Sequence, residues 1–363
     1  MRFPATGGLP GVAAALLVTL LALPSADASA QTELPPSPVC PDARSRQFDF
    51  WVGEWDVLNR HRRPESDDPI WYETGTAIAS VGPVVGGCAI VERWDGTLTF
   101  DRVVGFSVRA FDPAREVWDL VLLWPSANRP VFATFVGEFR HGRGEFEAGS
   151  VDQHDRPQIT RITFADIGPD ALRWDLALSG DSGITWRTTW IMEFARRSAT
   201  ATPPPPAAPD SAPRCDFPQM YEFAFALGRW AGTATLQDGT AAPATLESRT
   251  MLGGCGIEDR MIVGGGAWEG YEVRTFDPLA NAWVAYRLDS ARPVLQRLDG
   301  SVRRRDAQFA GSRAGANGDV LVSALWRFVG ESALRYDLRE SVDGGDTWTT
   351  LLAAQLDREG DSP

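Results

Sequence analysis

The chain has 363 residues, of which 44% are hydrophobic, 23% charged and 10% aromatic. That composition excludes a disordered, collagen-like or coiled-coil protein, and at roughly 100 to 200 residues per domain the length asks for two domains, each burying its own core. Acidic residues outnumber basic ones 48 to 35, and the formal charge of -13 repels phosphate backbones, so nucleic acid is not an expected partner.

Arg2 precedes an apolar run from Val12 to Leu23, long enough for a signal-peptide core and too short for a membrane span. Ala28-Ser29-Ala30 follows with the small-x-small pattern of a signal peptidase site. Residues 1–30 are therefore expected to be a signal peptide cleaved after Ala30, which makes the chain periplasmic or secreted. No later stretch reaches the roughly 18 apolar residues of a membrane helix, so no membrane span is expected.

The remainder repeats itself. Cys40, Phe48, Phe50, Gly53 and Trp55 match Cys215, Phe223, Phe225, Gly228 and Trp230, with every offset from the cysteine identical. Gly86-Gly87-Cys88 matches Gly253-Gly254-Cys255, and Arg109-Ala110-Phe111-Asp112-Pro113 matches Arg274-Thr275-Phe276-Asp277-Pro278. Trp118, Arg129-Pro130-Val131 and Arg173-Trp174-Asp175-Leu176 likewise find Trp283, Arg292-Pro293-Val294 and Arg335-Tyr336-Asp337-Leu338. A period of roughly 165 residues makes each copy a whole domain rather than a solenoid repeat. The expected layout is a first domain over 40–195, a Pro/Ala-rich spacer over 196–213 that cannot pack a core, and a second domain over 214–358. The spacer is compatible both with independent domains and with a docked pair.

Each copy holds two cysteines at matching places, which favours Cys40 with Cys88 and Cys215 with Cys255 over the two other pairings. Each bridge would close a loop of about 40 to 50 residues, worth roughly 4 kcal/mol by chain entropy. The spacings fit neither a zinc site nor a C-x-x-C motif, so no metal is expected.

The local pattern is strand throughout. In 172–178 and 186–194 large apolar residues alternate with polar or small ones, the signature of an antiparallel sheet wet on one side. Ser179-Gly180-Asp181-Ser182-Gly183-Ile184-Thr185 reads as the hairpin between them, and 341–348 repeats it. Only 42–50 and 216–225 suggest a short helix or turn. The fold class expected is all-β, two tandem antiparallel up-and-down barrels of about eight to ten strands each, since closure removes exposed edges.

Gly53-Glu54-Trp55 and Gly228-Arg229-Trp230, each opening a first strand after an aromatic-rich turn, resemble the G-x-W opening of calycin barrels, the lipocalin and fatty-acid-binding superfamily. The resemblance implies that Trp55 and Trp230 plug the closed end and that Arg196 and Arg358, from the last strands, stack on them, a contact worth roughly 0.5 to 2 kcal/mol. The longer string from Phe48 to Asp56, with its Gly-Gly-Cys, Arg-x-Phe-Asp-Pro and Ser-x-Asp-Gly-Gly-x-Thr-Trp companions, is similar to an uncharacterised family of exported bacterial barrels laid out like nitrobindin domains. The second copy departs from it by carrying Phe225-Ala226 where the first has Phe50-Trp51. Fold follows from that resemblance; function does not.

Haem would need a proximal histidine late in the barrel, and none of the three histidines, His61, His141 and His154, lies there. His61 and His141, beside arginines, read as exposed loop residues. The Ser-x-Asp hairpins resemble the Asp-box of propellers, which stabilises a turn. No nucleophile elbow, H-E-x-x-H or P-loop occurs, and no cofactor or catalytic residue is assigned.

The candidate site residues are polar positions shared by the copies. If their strand face lines the barrel, Arg109 and Arg274 are buried cations able to hold a carboxylate or phosphate; if it faces outward, they are solvated charges. Arg129 and Arg292, each before a proline, are candidates for the barrel mouth. Glu92 and Asp259, four residues after Gly-Gly-Cys, would have raised pKa values inside a barrel or pair with an arginine. Trp124, Trp174 and Trp190, with Tyr286 and Tyr336, are candidates to line a cavity. Two functions follow: a non-catalytic module binding a small, largely apolar or acidic ligand, or an isomerase- or cyclase-type enzyme using the strand carboxylate and arginine. An empty cavity with no paired titratable groups favours binding, a carboxylate and arginine paired within it favour catalysis, and a filled interior sinks both and leaves a structural barrel.

Overall fold

The computed structural model describes Cys40, 42–63, 70–99, 101–126, 129–152, 154–198, Cys215, 217–315, 318–329 and 332–360; of 125–126 and 129–131 only the backbone is described. The expected signal peptide over 1–30, and 199–213 of the expected spacer, lie outside these residues, while Arg196, expected to open the spacer, is the last residue of a strand.

The first barrel runs β1 (Gly53–Arg62), β2 (Trp71–Val84), β3 (Ala89–Leu98), β4 (Asp101–Asp112) and β5 (Val117–Ser126). It continues through β6 (Arg129–Arg140), β7 (Arg143–Val151), β8 (Pro157–Ala165), β9 (Ala171–Ser179) and β10 (Arg187–Arg196). The second has β11 (Gly228–Leu236), β12 (Ala241–Met251), β13 (Gly256–Val263), β14 (Trp268–Asp277) and β15 (Ala282–Asp289). Then come β16 (Arg292–Arg303), β17 (Asp306–Gly315), β18 (Gly318–Val329), β19 (Ala333–Ser341) and β20 (Thr349–Arg358). Both are closed ten-stranded antiparallel meanders in which every strand pairs with its chain neighbour and first meets last. The all-β, two-barrel expectation holds, at the upper end of the expected strand number.

Closure is set at matching residues, Trp55 opposite Arg196 and Trp230 opposite Arg358. Both tryptophans are fully buried, and each arginine lies over its indole with Cζ 4.2 Å from the ring centre. Arg196 donates to the carbonyls of Phe50 and Val52 at 2.9 Å, while Arg358 donates to those of Phe225 and Leu227 at 2.9 and 2.6 Å. The glycine of G-x-W follows from this contact. Gly53 and Gly228 have φ of +133° and +121°, and a Cβ there would sit 2.5 or 2.7 Å from the arginine Nη1.

The expected short helices reduce to 3-10 turns, Ala43–Arg46, Asp49–Trp51 and Pro218–Tyr221. They drop Phe48 and Phe223 into the closed ends. Phe48 meets Trp118 at 4.8 Å and Phe164 at 5.1 Å between centroids, and Phe223 meets Trp283 at 5.2 Å. Disulfides join Cys40 to Cys88 and Cys215 to Cys255, pinning these segments to the walls and indicating folding in an oxidising compartment. In the Asp hairpins Asp181 accepts from Thr185 N at 2.9 Å and Oγ1 at 2.6 Å, and Asp343 accepts equally from Thr347. Those hydrogen bonds, from the Thr185 side chain first, hold the Asp181 carboxyl down at about 2.

The expectation of sheets wet on one side fails at β4, β5, β14 and β15. Their outer faces bury Phe106, Val108, Val121 and Leu123 against Tyr271, Val273, Val284 and Leu288 in one cluster spanning both barrels. Glu258 of β13 anchors the contact by pairing with Arg93 of β3 and accepting from Tyr271 Oη at 2.6 Å. The barrels are a docked pair, and strands packed on both faces carry near-continuous apolar runs.

Candidate functional site

Strand parity decides which predicted residues meet. On β3 the inward positions are Ile90, Glu92 and Trp94, and on β4 they are Ser107, Arg109 and Phe111. Inside barrel one these surround a cavity of about 210 Å³. Trp94, Trp124, Trp174 and Trp190 wall it toward the β5–β6 and β9–β10 hairpins, and Trp51, Glu92, Ser107, Arg109 and Phe164 form its floor. The indoles brace one another: Trp124 meets Trp94 at 5.2 Å and Trp190 at 5.4 Å, and Trp174 meets Trp190 at 5.3 Å. Gly105 makes this possible, since a Cβ there would lie 2.6 Å from the Trp124 ring. Trp190 is fixed from behind by its Nε1–H to Asn59 Oδ1 at 3.1 Å and by His61 stacked at 4.9 Å. His61 is thus a half-buried strand residue bonded to Thr74 Oγ1 at 2.7 Å, not the exposed loop residue expected, because β1 runs on through 62.

The floor is an ion pair. Ser107 Oγ–H donates to Glu92 Oε2 at 2.8 Å, and Arg109 Nη2 reaches the same oxygen at 3.4 Å while also bonding Ser107. The guanidinium is roofed by Trp51 at 3.9 Å, Phe48 at 4.8 Å and Phe164 at 5.6 Å from the ring centres. Burial lowers Arg109 to about 10, partly offset by Glu92, and burial raises the Glu92 carboxyl against the pull of Arg109 and Ser107. The solvated-charge alternative for Arg109 and Arg274 therefore fails; both point inward.

Barrel two repeats the floor and fills the space above it. Arg274 pairs with Asp259, lies 3.4 Å from Glu272, and stacks on Phe223 at 4.2 Å and Trp326 at 4.6 Å. Trp326, at the place of Phe164, supplies the indole that Ala226 lacks. Burial lowers Arg274 to about 9 and raises Glu272, against the attraction of Arg287. Where barrel one has Leu122 and Trp124, four and six residues beyond Trp118, barrel two has Arg287 and Asp289, paired at 2.6 Å. Trp268 folds over Gly270 and leaves about 20 Å³ beside Asp259, Trp326 and Tyr336, while a separate pocket of about 320 Å³ lies beyond Trp268 at the barrel mouth, among Asp289, Arg292 and Leu338.

The other predicted residues lie apart. Tyr286 is on the outer face of β15, bonded to Thr134 Oγ1 at 2.7 Å and packed on Phe132 at 5.0 Å, so it belongs to the contact between barrels and lines no cavity. Its face was misplaced because β15 alternates Trp283, Ala285 and Arg287 inward. Arg292 stands half-buried at the mouth of barrel two, paired with Glu340. Arg129 opens β6, with its side chain outside the described residues. Sequence reasoning missed Trp51, Trp94 and Ser107. Trp94 and Ser107 lay within reach, since they are two residues from Glu92 and Arg109 and so share their faces. Among the described residues no group of His, Cys, Asp or Glu could hold a metal ion, and no helix is long and apolar enough to cross a membrane.

No known family and no curated protein matches the sequence. Among solved structures the chain is similar to a protein of unknown function from the DUF3598 family of Nostoc punctiforme, at 11% identity and a TM-score of 0.27, covering 88% of this chain and 100% of the other. It is also similar to EF1p2_mFAP2b, solved bound to DFHBI, at 13% identity and a TM-score of 0.24, covering 43% of this chain and 100% of that one. A mutant of the vaccine antigen transferrin binding protein B from Haemophilus parasuis matches at 8% identity and a TM-score of 0.16, covering 85% of this chain and 76% of the other. These likenesses are too distant to carry a function.

Proposed function

We propose that barrel one is a binding module for a small, largely apolar molecule, acting without catalysis, and that barrel two, packed above its own buried arginine, is docked to it. The observation that carries this reading is the tryptophan-walled cavity of about 210 Å³ directly above the Arg109 ion pair, against about 20 Å³ at the matching place in barrel two. An apolar cavity of about 150 Å³ accepts benzene, so this one suits a substituted ring or a fused bicycle. The pairing of Glu92 with Arg109 at the cavity is the arrangement that the sequence criterion assigns to catalysis, and the second barrel weighs against that assignment. Barrel two keeps the matching arginine under aromatic rings with an acidic partner at the matching position although only about 20 Å³ is open beside it, which makes the pair part of the barrel floor.

Native mass spectrometry of the exported protein from its own host, followed by solvent extraction, tests the reading. One small molecule per chain is expected, and Leu122→Trp, which drives an indole into the cavity, is expected to give the bare mass with thermal unfolding preserved. A bound molecule retained by that folded variant, or a bare wild-type chain that also takes up no added ring compound, would contradict it.

A further inference from the structure

The chemistry of the ligand is written in which half of the ion pair faces the void. Both hydrogen bonds that Glu92 accepts end on Oε2, leaving Oε1 without a partner among the described residues. The Glu92 side chain is 12% accessible although it points into a closed barrel, against 2% for Arg109, so the open edge lies on the cavity. Arg109 Nε and Nη1 also lack partners, but both atoms are buried, and the Cζ between them is stacked on the Phe48, Trp51 and Phe164 rings. The exposed polar group of the floor is therefore an acceptor. The charges of Glu92 and Arg109 already cancel, so a charged ligand would bring an uncompensated charge into a dry site.

Resting on the binding reading above, we infer that the cavity selects a neutral aromatic molecule carrying one N–H or O–H donor, with the ring among Trp94, Trp124, Trp174 and Trp190 and the donor on Glu92 Oε1. This sets aside the acidic ligand that the sequence allowed, because the arginine that would hold it is covered. A site whose only open charged group needs a donor discriminates strongly against shape-matched molecules that lack one.

The test is calorimetric titration of the full chain at neutral pH with four probes of similar size: indole, benzothiophene, benzoate and benzylammonium. Indole is expected to bind at least ten-fold more tightly than each of the others, and Leu122→Trp or Leu176→Trp, whichever folds, is expected to abolish its binding. Equal binding of indole and benzothiophene would overturn the donor inference while leaving an apolar binding module standing. Tightest binding of benzoate would show Arg109 to be open, and of benzylammonium would refute the charge-balance argument. Failure of all four to bind would remove both the inference and the reading beneath it.

Discussion

Replacing Trp55 or Trp230 by alanine is expected to destabilise the barrel that carries it by about 3 to 5 kcal/mol, the cost of a large buried aromatic. Each indole is fully buried, donates Nε1–H to a turn carbonyl at 2.8 Å, Trp51 or Ala226, and forms the surface on which Arg196 or Arg358 lies. Truncation leaves a cavity, an unpaired carbonyl and an arginine without its ring. Those losses fall where first and last strands close, so they act on the whole barrel. Urea unfolding followed by near-ultraviolet dichroism measures the effect, and a loss below about 1 kcal/mol would mean that the tryptophan is not the plug.

The second large effect is at the floor of barrel one. Arg109→Met is expected to cost about 3 to 5 kcal/mol, because it strands the buried Glu92 carboxylate with Ser107 as its remaining partner. Removing both charges in Arg109→Met/Glu92→Leu is expected to recover most of that loss, since an apolar pair of similar volume avoids the desolvation of two ions. The double-mutant cycle gives the coupling directly. Costs that simply add would show that the two side chains do not interact, contrary to the geometry around Glu92 Oε2.

The fold was legible because it is carried by spacing. Period-two alternation, the cysteine offsets and the G-x-W openings read from the chain reappear as closed barrels, intrabarrel disulfides and Trp-on-Arg closures. The site was legible only in part. Glu92, Arg109, Trp124, Trp174 and Trp190 do converge on one cavity, but whether that face was inside depended on which strands also bury their other face. The runs in β4 and β5, where Phe106, Val108, Val121 and Leu123 interleave with inward residues, carry that signal, and the same two-faced burial of β15 puts Tyr286 between the barrels rather than in a cavity. The difference between an open and a packed space above the arginine was harder to read. It rests on a few exchanges, Leu122 and Trp124 for Arg287 and Asp289, and on Trp268 turning over Gly270, which no periodicity distinguishes.

Two barrels of one design differ in the space above their buried arginines, and xenon-pressurised crystals of the protein distinguish them. Xenon enters apolar cavities of this size without needing polar partners. Xenon is expected in barrel one among Trp94, Trp124 and Trp190 and not beside Arg274 in barrel two. Equal occupancy of these two places, or an interior of barrel one that takes up no xenon, would contradict that difference.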